Sequence, residues 1–270
     1  MDKRWINELE GIILDMDGVL WKGSQPLVDL PAVFSLIEER GWNVLGMTNN
    51  STRTPTHYLS KLDSFGVELE NWQVINSSET TAYYLKKKFP QGGGVYMIGE
   101  RGLRTALKDQ GFFLVEEREK REPLAVVAGM DRNLTYKKIE KAARFIREGI
   151  PFLGTNPDKT YPTPEGLAPG AGVVLAAIEA ASGVHPLVMG KPQQRMYKVA
   201  LDRLSCSPEK SLVVGDRLET DILGAQNAGC RSALVLSGVT SKEDLRNWKR
   251  APDLVGEDVL TLFTSLLHDE

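Results

Sequence analysis

The chain is poor in the residues that disulfide frameworks, zinc sites, nucleic-acid surfaces and membrane spans require. Two cysteines, Cys206 and Cys230, are too few to staple 270 residues. They read as small core side chains, and such scarcity fits a reduced, cytoplasmic compartment. The three histidines, His57, His185 and His268, are scattered without ligand spacing, which argues against zinc. A net charge of -3 leaves no basic excess for a nucleic acid polymer. No uninterrupted apolar run approaches the length of a membrane span, and Met1 to Glu8 hold no apolar signal-peptide core, so neither is expected. Gly92-Gly93-Gly94 is not followed by the Gly-Lys-Ser/Thr of a P-loop. Pro169-Gly170-Ala171-Gly172 lacks the third glycine of a dinucleotide fingerprint and reads as a turn opening a helix.

What is present is an ordinary globular composition, 41% hydrophobic and 26% charged, enough to bury a core. Short apolar runs alternate with helical patterns, which predicts a parallel sheet flanked by helices. Strands are expected at 11–16, 43–47, 187–189, 211–214 and 232–236. Helices are expected at 32–40, 55–65, 77–89, 193–204 and 220–228. The glycine run after Pro90 is the sharpest compositional break and reads as a linker or hinge. A second strand–helix series follows it, with a long loop from Gly154 to Gly170 and a helix closing near Gly183. The reading is α/β throughout: a core of residues 1–91 and 184–270, interrupted by an inserted domain at 92–183. The mixed-sign run Glu116 to Glu122 reads as a solvated turn.

The chemistry lies at the ends of the expected core strands. Asp15 and Asp17 follow the apolar run Gly11-Ile12-Ile13-Leu14, and residues two apart on an extended chain project to one side. Two anions held that close call for a cation or a shared proton. Thr48, Asn49 and Asn50, then Lys191, then Asp216, each follow another strand. Ligands of open parallel sheets bind at the carboxyl ends of the strands. Aspartates suit Mg²⁺, and a lysine with hydroxyl and amide groups suits a phosphoryl group. Turn formation is an equal reading for Asn49 and Asn50. Asp221 also fits the first turn of a helix.

Asp15-Met16-Asp17-Gly18-Val19-Leu20, Thr48, Lys191-Pro192 and Gly215-Asp216-Arg217-Leu218-Glu219-Thr220-Asp221 occur in this order. Together they resemble the four motifs of the haloacid dehalogenase superfamily. Thr48-Asn49-Asn50-Ser51, Ile98-Gly99-Glu100 and Thr155-Asn156-Pro157-Asp158 make the para-nitrophenyl phosphatase and nucleotide monophosphatase branch the nearer likeness. The resemblance implies a Rossmann-like core with a mostly parallel sheet and an inserted α/β cap. It implies Asp15 as nucleophile and Asp17 as general acid and base. Asp15, the backbone carbonyl of Asp17 and Asp216 would hold Mg²⁺. Thr48, Lys191, Asn49 and Asn50 would bind phosphate or substrate, and Asp221 would orient a metal-bound water or Lys191. Asn156 and Asp158 would lie in a cap loop facing the substrate.

The function so implied is Mg²⁺-dependent hydrolysis of a small soluble phosphomonoester, such as a sugar phosphate or nucleoside monophosphate, through an aspartyl-phosphate. Cleavage of a phosphonate or halide on the same fold is an alternative. The second aspartate speaks against a dehalogenase. Non-catalytic binding of a phosphate ligand is a third reading. An exposed cap face leaves room for a homodimer.

Overall fold

The computed structural model describes residues 4–115, 122–163 and 165–268. Positions 116–121 of the charge run lie outside the described residues. The chain divides into two compact units. The first comprises the residues up to Thr48, then Pro55–Ile75, then those from Lys191 onward; the second comprises Asn49–Thr54 and Asn76–Gly190.

The first unit is built on a six-stranded sheet. Its strands lie in the order Leu254–Gly256, Arg231–Val235, Ser211–Gly215, Gly11–Leu14, Asn43–Thr48 and Val74–Asn76. The central strand Gly11–Leu14 pairs in parallel with Ser211–Gly215 on one side and Asn43–Thr48 on the other. All four of its residues are buried, as a strand covered on both faces requires. Alternation sends Ile12 and Leu14 into one apolar cluster with Val44, Leu212 and Val214. Ile13 enters another with Leu45, Met47 and Val213. Helices Leu30–Glu39 and Val259–His268 cover the first face, and Gln194–Leu204 covers the second.

The second unit has a five-stranded sheet in the order Leu187–Val188, Phe152–Gly154, Val126–Ala128, Gly93–Ile98 and Phe112–Leu114. All its registered pairs are parallel. Helices Ser77–Lys88 and Arg101–Asp109 bury Leu85, Leu103 and Leu107 against one face; Tyr136–Arg147 and Ala171–Ser182 pack on the other.

Several expectations differ from what is observed. Gly93 and Gly94 open a strand registered with Phe112 and Phe113, so the glycine run is no linker between units. The second unit is wider than the expected 92–183: Ser77–Lys88 packs against Arg101–Asp109 and carries residues 76–91 with it, and Leu187–Val188, expected in the core sheet, pairs with Phe152–Gly154 and extends the unit to Gly190. The expected long loop 154–170 contains an antiparallel pair, Thr160–Thr163 with Gly166–Pro169. The expected helix 220–228 begins as a π-helical turn, Leu218–Ile222, before Leu223–Ala228. Tyr197 Oη lies 2.9 Å from the Thr220 carbonyl and 3.2 Å from that of Asp221, supplying a donor where the regular helical ladder is broken.

Candidate active site

Asp15 follows the central strand directly, and its N–H still bonds the carbonyl of Val214 on the neighbouring strand. Asp216 follows that neighbour, and Thr48 ends the strand on the other side. Three adjacent parallel strands therefore deliver Thr48, Asp15 and Asp216 to one sheet edge, and all three are buried. Lys191, 3% exposed, reaches into the same place. Its Nζ lies 2.6 Å from Asp15 Oδ1, 2.7 Å from Asp221 Oδ1 and 3.4 Å from the Met47 carbonyl. Asp221 Oδ2 accepts from the Arg217 N–H at 3.1 Å, so both its oxygens are engaged.

Asp216 is held differently. Its Oδ2 accepts from the Val239 N–H at 2.8 Å, while Oδ1 is buried without a hydrogen-bond partner. Two glycines make room for it: a Cβ on Gly18, which also has a φ of 94°, or on Gly238 would overlap the Asp216 carboxylate. Carboxylate oxygens of Asp15, Asp216 and Asp221 all lie within 4.8 Å of one another. Lys191 pairs with two of these three buried carboxylates, and one oxygen of the third, Asp216 Oδ1, is orphaned. This donor set fits a hard divalent cation.

The electrostatics agree with a missing positive charge. Burial pushes the Asp15 carboxyl well above the usual carboxylate range, Lys191 opposes the shift, and the charges of Asp221 and Asp216 add to it. Burial and Asp221 push Asp216 up to about 6. Burial works against the charge on Lys191, but Asp15 and Asp221 outweigh it and hold its pKa above the ordinary lysine value.

A family model described as haloacid dehalogenase-like hydrolase matches residues 12–113, and one described as HAD-hydrolase-like matches 188–262. The 5'-nucleotidase YutF of Bacillus subtilis is 33% identical over 243 residues, covering 90% of this chain and 93% of that protein. An acid sugar phosphatase of Staphylococcus aureus is 31% identical, covering 94% of this chain and 96% of its own. The chain belongs to the haloacid dehalogenase-like hydrolase family. Among solved structures, a 4-nitrophenylphosphatase from Thermotoga maritima superposes with a TM-score of 0.90 at 32% identity, covering 97% of this chain and 99% of that one. The p-nitrophenyl phosphatase from Archaeoglobus fulgidus gives 0.89 at 30% identity, covering 95% and 99%. This member of the family is a phosphoric monoester hydrolase.

Asp17 stands apart from the buried cluster and is exposed. Its Oδ1 accepts from the Trp21 indole at 2.9 Å. Lys61 lies over that indole, 3.9 Å from the ring centroid, and donates to the Gly23 carbonyl at 2.7 Å. Burial lowers the Lys61 pKa, and the Asp17 carboxylate opposes that shift.

The remaining expected site residues of this family member fall in the second unit, where the structure joins three of them. Asn49 Nδ2 donates to Asp158 Oδ1 at 3.1 Å, and Asn156 Nδ2 donates to the Asn49 carbonyl at 2.7 Å. Asn50 Oδ1 accepts from the N–H and hydroxyl of Thr52, the pattern of an Asx turn. Asn156 makes a similar turn with the Asp158 N–H at 3.2 Å. Buried hydroxyls of Ser77 and Ser78 bond the carbonyls of Asn49 and Ser51, and Asn76 bonds that of Arg53. Segment 49–54 is thus anchored in the second unit by Asn76, Ser77 and Ser78. No local pattern around Ser77 and Ser78 marks this role, which depends on the tertiary approach of segment 49–54. Trp21 is likewise unmarked, because no spacing rule aims an indole at a carboxylate four residues earlier.

Proposed function

We propose that this chain is a Mg²⁺-dependent phosphatase of small soluble phosphomonoesters, working through an aspartyl-phosphate on Asp15. The observation that carries the reading is the buried Lys191, shared by Asp15 and Asp221, beside the orphaned oxygen of Asp216. Such an arrangement suits a nucleophile that must meet an anionic substrate. Lys191 holds Asp15 in one orientation, and its buried positive charge attracts the anionic phosphoryl group. Thr48, at the adjacent strand end, contributes a hydroxyl donor. Carboxylate attack on phosphorus splits one difficult hydrolysis into two displacements.

Asp17 gives a proton to the departing oxygen and then takes one from the hydrolytic water. Its exposure suits this double role, since water and leaving group must both reach it. Asp15, the Asp17 carbonyl and Asp216 would hold Mg²⁺, which neutralises charge between nucleophile and phosphate when bound. Asp221 keeps Lys191 in place. Asn49, Asn50, Asn156 and Asp158 of the second unit are the residues from which substrate contacts would be drawn.

Sugar phosphates and nucleoside monophosphates are the substrate classes favoured, since relatives named for each kind match at similar identity. The test is phosphate release from p-nitrophenyl phosphate and from a panel of such metabolites at fixed Mg²⁺. Turnover abolished by chelator and restored by Mg²⁺ supports the reading. Turnover that survives chelation, or none with any ester, contradicts it.

A further inference from the structure

Trp21 heads the fully buried side chains by volume. Its ring carries one polar atom, the Nε1–H, which can only donate. Leaving such a donor unpaired in a core is costly, so a buried indole N–H finds an acceptor. The acceptor it has found is Asp17 Oδ1, at 2.9 Å.

The indole has little freedom to move. It stacks on Tyr58 at 6.5 Å between ring centroids, meets Phe65 at 6.2 Å and carries Lys61 on its face. The backbone closes the same loop, with the Gly18 N–H on the Trp21 carbonyl at 2.8 Å. Asp17 is exposed and could hydrate both its oxygens. The bond to Trp21 is therefore not needed to satisfy the carboxylate; it restrains it. Oδ2 accepts no hydrogen bond among the described residues.

We propose that Trp21 is a positioning residue for Asp17: its indole N–H holds Oδ1 and leaves Oδ2 as the oxygen that exchanges a proton with substrate and water. The inference rests on the acid–base role given to Asp17 above. In the first displacement, a bond forms between an Asp15 oxygen and phosphorus, and the ester oxygen–phosphorus bond breaks. The proton on Asp17 Oδ2 moves to the departing oxygen. Oδ2 carries that proton because Oδ1 already faces a donor with no lone pair to receive one.

The test compares kcat/KM for phenyl phosphate and p-nitrophenyl phosphate, two aryl esters of nearly the same shape. Phenolate needs a proton more than nitrophenolate does. The ratio of the two, taken on one preparation with Mg²⁺, does not depend on how much of a variant is folded. Trp21→Phe keeps an aromatic ring and removes the donor. It is expected to lower the phenyl to p-nitrophenyl ratio about fivefold or more. Phe65→Leu, which loosens the same ring without touching Asp17, is expected to leave the ratio unchanged. Asp17→Asn is expected to lower it most. A ratio unchanged in Trp21→Phe but lowered in Asp17→Asn overturns the positioning role alone. A ratio unchanged in Asp17→Asn overturns the acid role and the inference with it. An equal change in Phe65→Leu reduces Trp21 to packing and also overturns the proposal.

Discussion

Lys191 Nζ lies 2.6 Å from Asp15 Oδ1, and the same ammonium reaches Asp221 Oδ1 at 2.7 Å, with all three side chains buried. One cation compensates two carboxylates whose strands and turns are distant in sequence. Removing one member of a buried charge pair is far more damaging than never having built it. Lys191→Met is expected to lose about 3–5 kcal/mol in urea unfolding and to lose turnover by about a hundredfold or more. Lys191→Arg keeps the charge but not the compact, rotatable donor, and is not expected to restore activity. An unchanged unfolding midpoint in Lys191→Met contradicts the account.

Asp216 predicts a pH dependence. Its carboxyl is pushed up to about 6, first by burial and then by Asp221. The folded form therefore holds a proton that the unfolded form releases near pH 4. Stability falls with rising pH wherever the folded state binds more protons than the unfolded state. In chelator, the Asp216 contribution is expected to be fully present below about pH 4 and to be lost as the pH rises through about 6. Asp216→Asn removes that decline, and Mg²⁺ stabilises the parent protein but not the variant. The check is the difference in melting temperature between parent and variant from pH 4 to 7, with and without Mg²⁺. A difference that does not vary with pH contradicts the burial of the charge.

In the second unit, Arg132 grips Glu100 with two bonds, Nε to Oε1 at 2.7 Å and Nη2 to Oε2 at 2.6 Å. Those hydrogen bonds hold the Glu100 carboxyl below the ordinary glutamate value, against the opposing effect of partial burial. The Arg132 side chain is 57% exposed, so water and salt discount the pair. Arg132→Met is expected to cost about 1 kcal/mol at most near neutral pH. A carboxyl with a depressed folded pKa stabilises above its unfolded pKa. The difference between parent and variant is therefore expected to shrink as the pH falls below about 4.5 and to vanish once Glu100 is protonated. Urea unfolding at pH 7 and pH 3 measures it.

The layout of the first unit was legible because its central strands are apolar on both faces. Ile12, Ile13, Leu45, Val213 and Val214 leave few alternatives to a parallel sheet between helices. Their ends then place Asp15, Thr48 and Asp216 on one edge, and the structure brings Lys191 and Asp221 to Asp15. The short elements were not legible. Trp21–Lys22 and Gln25–Pro26 pair over two residues each, too few for any period to register. Lys242–Asn247 and Leu254–Gly256 are likewise brief. Glycine content alone does not distinguish a flexible linker from a crowded turn. Gly92 and Gly93 serve positive φ angles of 71° and 143°, at a place where Gly111 and Leu124 crowd the backbone. The anchoring of segment 49–54 by Asn76, Ser77 and Ser78 depends on tertiary approach, which no local pattern encodes.

Asp15 is expected to become phosphorylated during turnover. Enzyme mixed briefly with phosphate-labelled p-nitrophenyl phosphate and Mg²⁺, then quenched in acid, can be digested and its label mapped by mass. The account predicts a hydroxylamine-labile label on the peptide containing Asp15, absent in Asp15→Asn. Label on another residue, or full turnover by Asp15→Asn, contradicts it.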